Sequence, residues 1–139
     1  MKRNIALLLL LITVSFAKAQ NEKPFKGFFI NEEYQVYLNI NLHDMDINVP
    51  DHELYGQLPG YLGKKAYSFF WVITDCTIKS KTKAEIELIN DYGSEDLKAT
   101  LKMPDENTLI LTQGAGSTIK VPDNRKWKKL PKELVFKRQ

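Results

Sequence analysis

Large apolar residues fall on every second position through much of this chain. That period suits a strand with one dry face and one wet face, not a helix. Tyr34, Val36, Leu38, Ile40 and Leu42 alternate with Gln35, Tyr37, Asn39 and Asn41. Ala84, Ile86 and Leu88 alternate with Glu85 and Glu87, and Leu97, Ala99, Leu101 and Met103 with Lys98, Thr100 and Lys102. Residues 27–30 read as a first strand, and residues 108–113, 117–121 and 134–137 as further short ones. No stretch of ten or more residues carries a convincing helical period. Residues 123–132 have room for one turn of helix before Pro131.

Turn-forming residues separate these stretches. Asn31-Glu32-Glu33, Asn90-Asp91-Tyr92-Gly93-Ser94, Pro104-Asp105-Glu106-Asn107 and Gln113-Gly114-Ala115-Gly116 all carry residues that start turns or tolerate positive φ. Strand starts recur at the spacing of an up-and-down meander. The expected fold is all-β: one antiparallel meander of about eight strands, closed into a barrel. A two-sheet β-sandwich is the alternative, because both bury alternate residues of every strand. Residues 67–78 differ from the rest. Tyr67, Phe69, Trp71 and Ile73 lie on one face and Phe70, Val72, Cys76 and Ile78 on the other, so the first half is apolar on both. Such a strand is covered on both sides, or its outer face meets a partner. Before it, residues 56–63 read as a long Gly/Pro loop that exposes Leu58, Tyr61 and Leu62.

The first nineteen residues read as a cleavable signal peptide. Lys2 and Arg3 precede the apolar run 5–16, and Ala17-Lys18-Ala19 forms a small-x-small cleavage box. The run is shorter than the roughly 20 residues a membrane-spanning helix needs. The expected mature chain is one domain, residues 20–139, with no membrane anchor after cleavage and a periplasmic or secreted location.

Cleavage changes the charge balance. Of 20 Lys and Arg, Lys2, Arg3 and Lys18 leave with the signal, so 17 remain against 17 acidic residues. The argument from a basic chain to a nucleic-acid partner therefore fails. The remaining charge is unevenly spread. Residues 20–62 hold seven acids and two bases, and residues 125–138 seven bases and one acid. In a closed barrel these ends are neighbours, so the opposite charges are expected to face each other. Cys76 is the single cysteine, which leaves no intramolecular disulfide and reads as an inert thiol in an apolar run.

No catalytic set stands out. His43 and His52 sit among Asp44, Asp46, Asp51 and Glu53, but their spacing matches no known metal cage. Residues 113–118 lack the lysine and the following helix of a phosphate loop, which favours a hairpin turn. No Gly-x-Ser-x-Gly elbow occurs. The chain reads as a non-enzyme with no metal and no cofactor.

Gly27-Phe28-Phe29 on a first strand, a meander, then Arg125 and Trp127 near the last strand resemble lipocalin-like (calycin-type) small secreted barrels. The resemblance implies an aromatic ring on the first strand with a late basic residue packed over it. The ring here is Phe29 where that superfamily carries Trp, and the helix that closes true lipocalins is missing.

Three functions fit these features. The first is an exported binding protein that holds an apolar small molecule in the barrel interior. Its motive is the crowding of rings: eleven of the fourteen aromatics beyond residue 19 lie between Phe25 and Trp71. Phe29, Tyr37, Tyr61, Phe69 and Trp71 are the expected ligand-binding residues, with the two tyrosines as polar handles. The second is a periplasmic protein-interaction or inhibitor module that uses the loop 58–63 and an open face of the following strand. The third is an undetected hydrolase built on His43 or His52.

Overall fold

In a computed structural model, which describes residues 23–139, the alternating stretches become strands. The expected signal peptide and the expected mature start at Gln20 lie outside the described residues. In chain order the strands begin with β1 (Lys26–Asn31) and β2 (Val36–Asn41), then the two-residue β3 (Ile47–Asn48) and β4 (Gln57–Leu58). Next come β5 (Gly60–Lys64), β6 (Phe70–Ile78), β7 (Lys83–Asn90), β8 (Asp96–Asp105) and β9 (Thr108–Gly116). The short β10 (Lys120–Asp123) and β11 (Lys126–Lys129) precede the last strand, β12 (Glu133–Arg138).

Eight of these close a barrel in the order β1-β12-β9-β8-β7-β6-β5-β2, each antiparallel to its neighbours. Closure decides against the sandwich, since β1 pairs with β2 on one side and with β12 on the other, through Phe29↔Arg138 and Ile30↔Lys137. The alternating residues fill the inside. Phe29, Val36, Leu38, Ile40, Leu62, Trp71, Ile73, Ile86, Leu88, Leu101, Leu111, Leu134 and Phe136 belong to one contiguous buried cluster. An eight-stranded barrel is just wide enough for side chains to fill, and here they do.

The first-strand ring has its basic partner. The Arg138 guanidinium lies 4.7 Å from the centre of the Phe29 ring and donates to the Lys26 carbonyl at 2.7 Å. A side chain at position 27 would collide with that guanidinium, so glycine is what lets it reach the ring. The partner is Arg138, not the expected Arg125. Arg125 sits with Asn124 in the tight turn between β10 and β11, where both residues have positive φ. The two ends of the chain do meet, and cations of the last strands lie over rings from the front of the chain. Lys128 lies 5.2 Å from the centre of the Tyr34 ring.

The double-sided strand is covered on both faces by its own chain. Trp71 and Ile73 of β6 point inward, while Phe70 and Val72 point outward with Tyr61 of β5. Residues 42–59, which leave β2 at one end of the barrel, fold over this outer patch as a flap. Val49 is buried on it, and Ile47, Leu58, Tyr37 and Ile89 pack around it. At the flap tip His52 contacts the Asp91 carboxylate in the β7–β8 turn, at the far end of the barrel, and stacks on Tyr55 at 5.2 Å. The surface assigned to a partner, Tyr61 and the outer face of β6, is therefore occupied. The loop reading of 56–63 is corrected: residues 60–64 form β5, and Tyr61 and Leu62 are buried.

Burial under the flap, and then the neighbouring Tyr61, raise the Tyr37 pKa above the ordinary tyrosine value. The raised value means that folding favours the neutral phenol. Its contribution is full below about pH 10, the ordinary tyrosine range, and is lost as pH rises through the folded value. Ultraviolet difference titration should show a phenol ionising above the ordinary tyrosine range, with Tyr37→Phe removing that late step. A single step near the ordinary value would contradict the burial.

Three other expectations are corrected. Residues 113–116 are the end of β9, not a turn. At Gly116 (φ +117) an added Cβ would meet the Asp96 carbonyl and Leu97 Cα, so the glycine serves close strand approach at a bulge. Residues 117–121 do not form a barrel strand, and 123–132 form no helical turn. They belong to a β10–β11 hairpin outside the barrel order.

Candidate functional site: a ring-lined recess at the barrel mouth

At the end of the barrel where β7 and β9 finish, the β10–β11 hairpin folds across the opening. Sequence dictates its placement through Gln113. This buried side chain accepts from the Ile119 amide at 2.7 Å and donates to the Pro131 carbonyl at 2.9 Å and the Leu130 carbonyl at 3.3 Å. Both ends of the excursion are thereby held to β9. Ile119, Val121 and Leu130 drop into the core cluster. The Trp71 indole N–H donates to the Lys120 carbonyl at 2.8 Å and so ties β6 to the hairpin. On the hairpin's outer edge the Asn124 amide donates to the Tyr67 hydroxyl at 3.0 Å.

Opposite the hairpin is the turn between β7 and β8, built around Asn90. Its side-chain oxygen accepts from the Ser94 amide at 2.9 Å and the Glu95 amide at 3.2 Å, and its Nδ2 donates to the Ser94 hydroxyl at 3.2 Å. These bonds satisfy the turn locally and leave Tyr92 projecting at its tip, 74% exposed. Trp127, on β11, is 52% exposed.

Between turn and hairpin lies a recess of about 290 Å³ lined by Phe69, Trp71, Asn90, Tyr92, Ser94, Glu95, Lys120 and Trp127. Phe69 lies 5.0 Å from Trp127 and 6.0 Å from Tyr92, and the last two are 6.3 Å apart, all tilted or edge-on. Such geometry suits the ring quadrupoles. Lys120 Nζ bonds Glu95 Oε1 at 3.0 Å across the recess. Both groups are about one-third exposed, so the pair adds little stability. Its chemical importance is that it presents a donor and an acceptor beside three rings.

No protein-family model, curated protein or solved structure matches this chain.

The five residues expected to form a ligand site are divided among three places. Phe69 and Trp71 line the mouth recess. Phe29 is fully buried in the core under Arg138. Tyr37 and Tyr61 touch each other, 6.0 Å between centres, on the outer face beneath the flap. Tyr92 and Trp127, the most exposed rings of the recess, were absent from the expected set. A tyrosine inside a Gly/Asn/Asp turn is the signal that could have marked Tyr92, because nothing in such a turn buries a ring. Trp127 is hidden in sequence by the basic residues around it.

The histidines do not share a site. His43 Nε2 contacts the Pro24 carbonyl at 2.6 Å at one end of the barrel, and His52 meets Asp91 at the other. Among the described residues no group of three or more His, Cys, Asp or Glu side chains is arranged to hold a metal. Cys76 is partly buried against the core, because the bulge between Ile73 and Asp75 carries it to the inner side. Burial, and next the adjacent Asp75, push its pKa up, which keeps the thiol protonated and a poor nucleophile.

Proposed function

We propose that this is an exported small binding protein, not an enzyme, and that it takes its ligand at the barrel mouth. The observation that carries the reading is the pair of exposed rings, Tyr92 and Trp127, held against Phe69 over a concave, partly polar recess. A barrel that only needed to fold could bury such rings or do without them. The packed interior favours the rim over the inside of the barrel as the place for a ligand. The Arg138–Phe29 contact beside Gly27 supports lipocalin-like kinship for the scaffold.

Intrinsic fluorescence tests the site, since Trp71 and Trp127 are the two tryptophans. A panel of fatty acids, retinoid-like molecules, indole and small saccharides is titrated into the protein and into Trp127→Phe. At least one member should quench or shift the emission, and the response should shrink in the variant, where Trp71 alone reports. No response across the panel would sink the mouth reading.

Export is proposed from residues 1–19. Mass spectrometry of protein recovered from the cell envelope or medium should find an N-terminus at Gln20, cyclised or not. Intact Met1 or Lys2 on that material would refute it.

A further inference from the structure

We infer that the mouth recess takes a neutral sugar of one or two rings. This rests on the mouth being a binding site and adds the class of ligand.

Three observations point there. The first is charge. Lys120 and Glu95 are the charged side chains lining the recess, and they neutralise each other. The lining therefore favours neither an anion nor a cation.

The second is the mixture of groups. The Ser94 oxygen already accepts from Asn90 Nδ2, which leaves its proton to donate outward. The Lys120 contact uses Glu95 Oε1 and leaves Oε2 as an acceptor, while Lys120 keeps further protons to donate. A sugar offers adjacent hydroxyls that both donate and accept. Its C–H faces carry slight positive charge and settle on the electron-rich faces of Tyr92 or Trp127. A hydrocarbon chain would instead strip water from an ammonium and a carboxylate without replacing their hydrogen bonds.

The third is shape. Trp71 forms the floor, and behind it the barrel is filled by the core cluster, so a long chain finds no apolar well to enter. A volume of about 290 Å³ is at the small end of ligand pockets and is open at the rim.

The test is a titration of nitrogen-15-labelled protein followed by NMR. The probes are glucose, galactose, N-acetylglucosamine, maltose and cellobiose, with indole and decanoate as apolar controls. At least one sugar should shift the Trp127 indole N–H and the amides of residues 92–95 saturably. Trp127→Ala should weaken that sugar by about tenfold or more, the loss typical of an anchoring ring. Glu95→Gln should weaken it less. Dispersed methyl resonances of Ile119, Val121 and Leu130 in both variants report that the hairpin remains seated in the core.

Shifts at the same amides with indole or decanoate but with no sugar would overturn the sugar inference and leave the mouth reading intact. Silence from every probe would overturn both. A sugar response that survives Trp127→Ala at full affinity would also overturn the inference.

Discussion

Trp71→Ala is expected to lower the unfolding free energy by about 3–5 kcal/mol, the range for removing a fully buried large side chain. The indole is among the largest buried side chains of the barrel, packed in the core beneath the hairpin. Truncation leaves a cavity where β6 meets the lid and removes the donor to the Lys120 carbonyl. Domains of this kind have about 5–15 kcal/mol in total, so the variant should keep only part of its stability. Trp71→Phe separates the two losses. It keeps much of the volume and removes the hydrogen bond, worth about 1 kcal/mol. Urea unfolding of the three proteins measures both steps. A loss below about 1 kcal/mol for Trp71→Ala, well short of a core truncation, would mean that the hairpin does not depend on this residue.

Val49→Asp should release the flap while the barrel stays folded, at a cost of about 3 kcal/mol or more, because a carboxylate there would be buried without a partner. Val49 is nearly fully buried against Tyr61, Phe70 and Val72. These three residues would become an exposed apolar patch on the barrel wall, a surface that promotes self-association. Hydrogen exchange should show lost protection from residue 46 to residue 58, with β7, β8 and β9 still protected. Sedimentation should show concentration-dependent association. The effect should also reach the mouth, since His52 at the flap tip contacts Asp91, next to Tyr92. Unchanged protection across the flap would contradict its packing on Val49.

Most of the barrel was legible because its strands obey a single rule. In β2, β7 and β8 every second residue is buried, which is the alternation visible in Val36-x-Leu38, Ile86-x-Leu88 and Ala99-x-Leu101. The rule breaks where glycine has two uses. Gly114 and Gly116 look like turn residues, yet they sit in β9 because Lys98 and Asp96 of β8 approach too closely for a side chain. Gly60 and Gly63 likewise disguise β5, whose five residues are all buried. The second failure is one of distance along the chain. The arginine over Phe29 lies on β12, and only barrel closure shows that Arg138, not Arg125, reaches it.

The candidate site was half legible for the same reason. Phe69 and Trp71 stand out in a dense apolar run. Tyr92 and Trp127 come from a turn and an excursion whose meeting depends on Gln113 and Asn90, polar residues that carry no such signal. Ring density between Phe25 and Trp71 turned out to record two apolar layers, one inside the barrel and one beneath the flap.

Where a bound ligand sits can be read directly from resonances of the interior and of the mouth. Methyl groups of Leu38, Ile86, Leu101 and Leu111 report on the interior, and the Trp127 indole and the amides of residues 92–95 report on the mouth. Both sets are followed by NMR during titration with the panel member that binds most tightly. Saturable shifts at the mouth and unmoved interior methyls are expected. Large shifts of the interior methyls with a silent Trp127 would contradict it and return the ligand to the inside of the barrel.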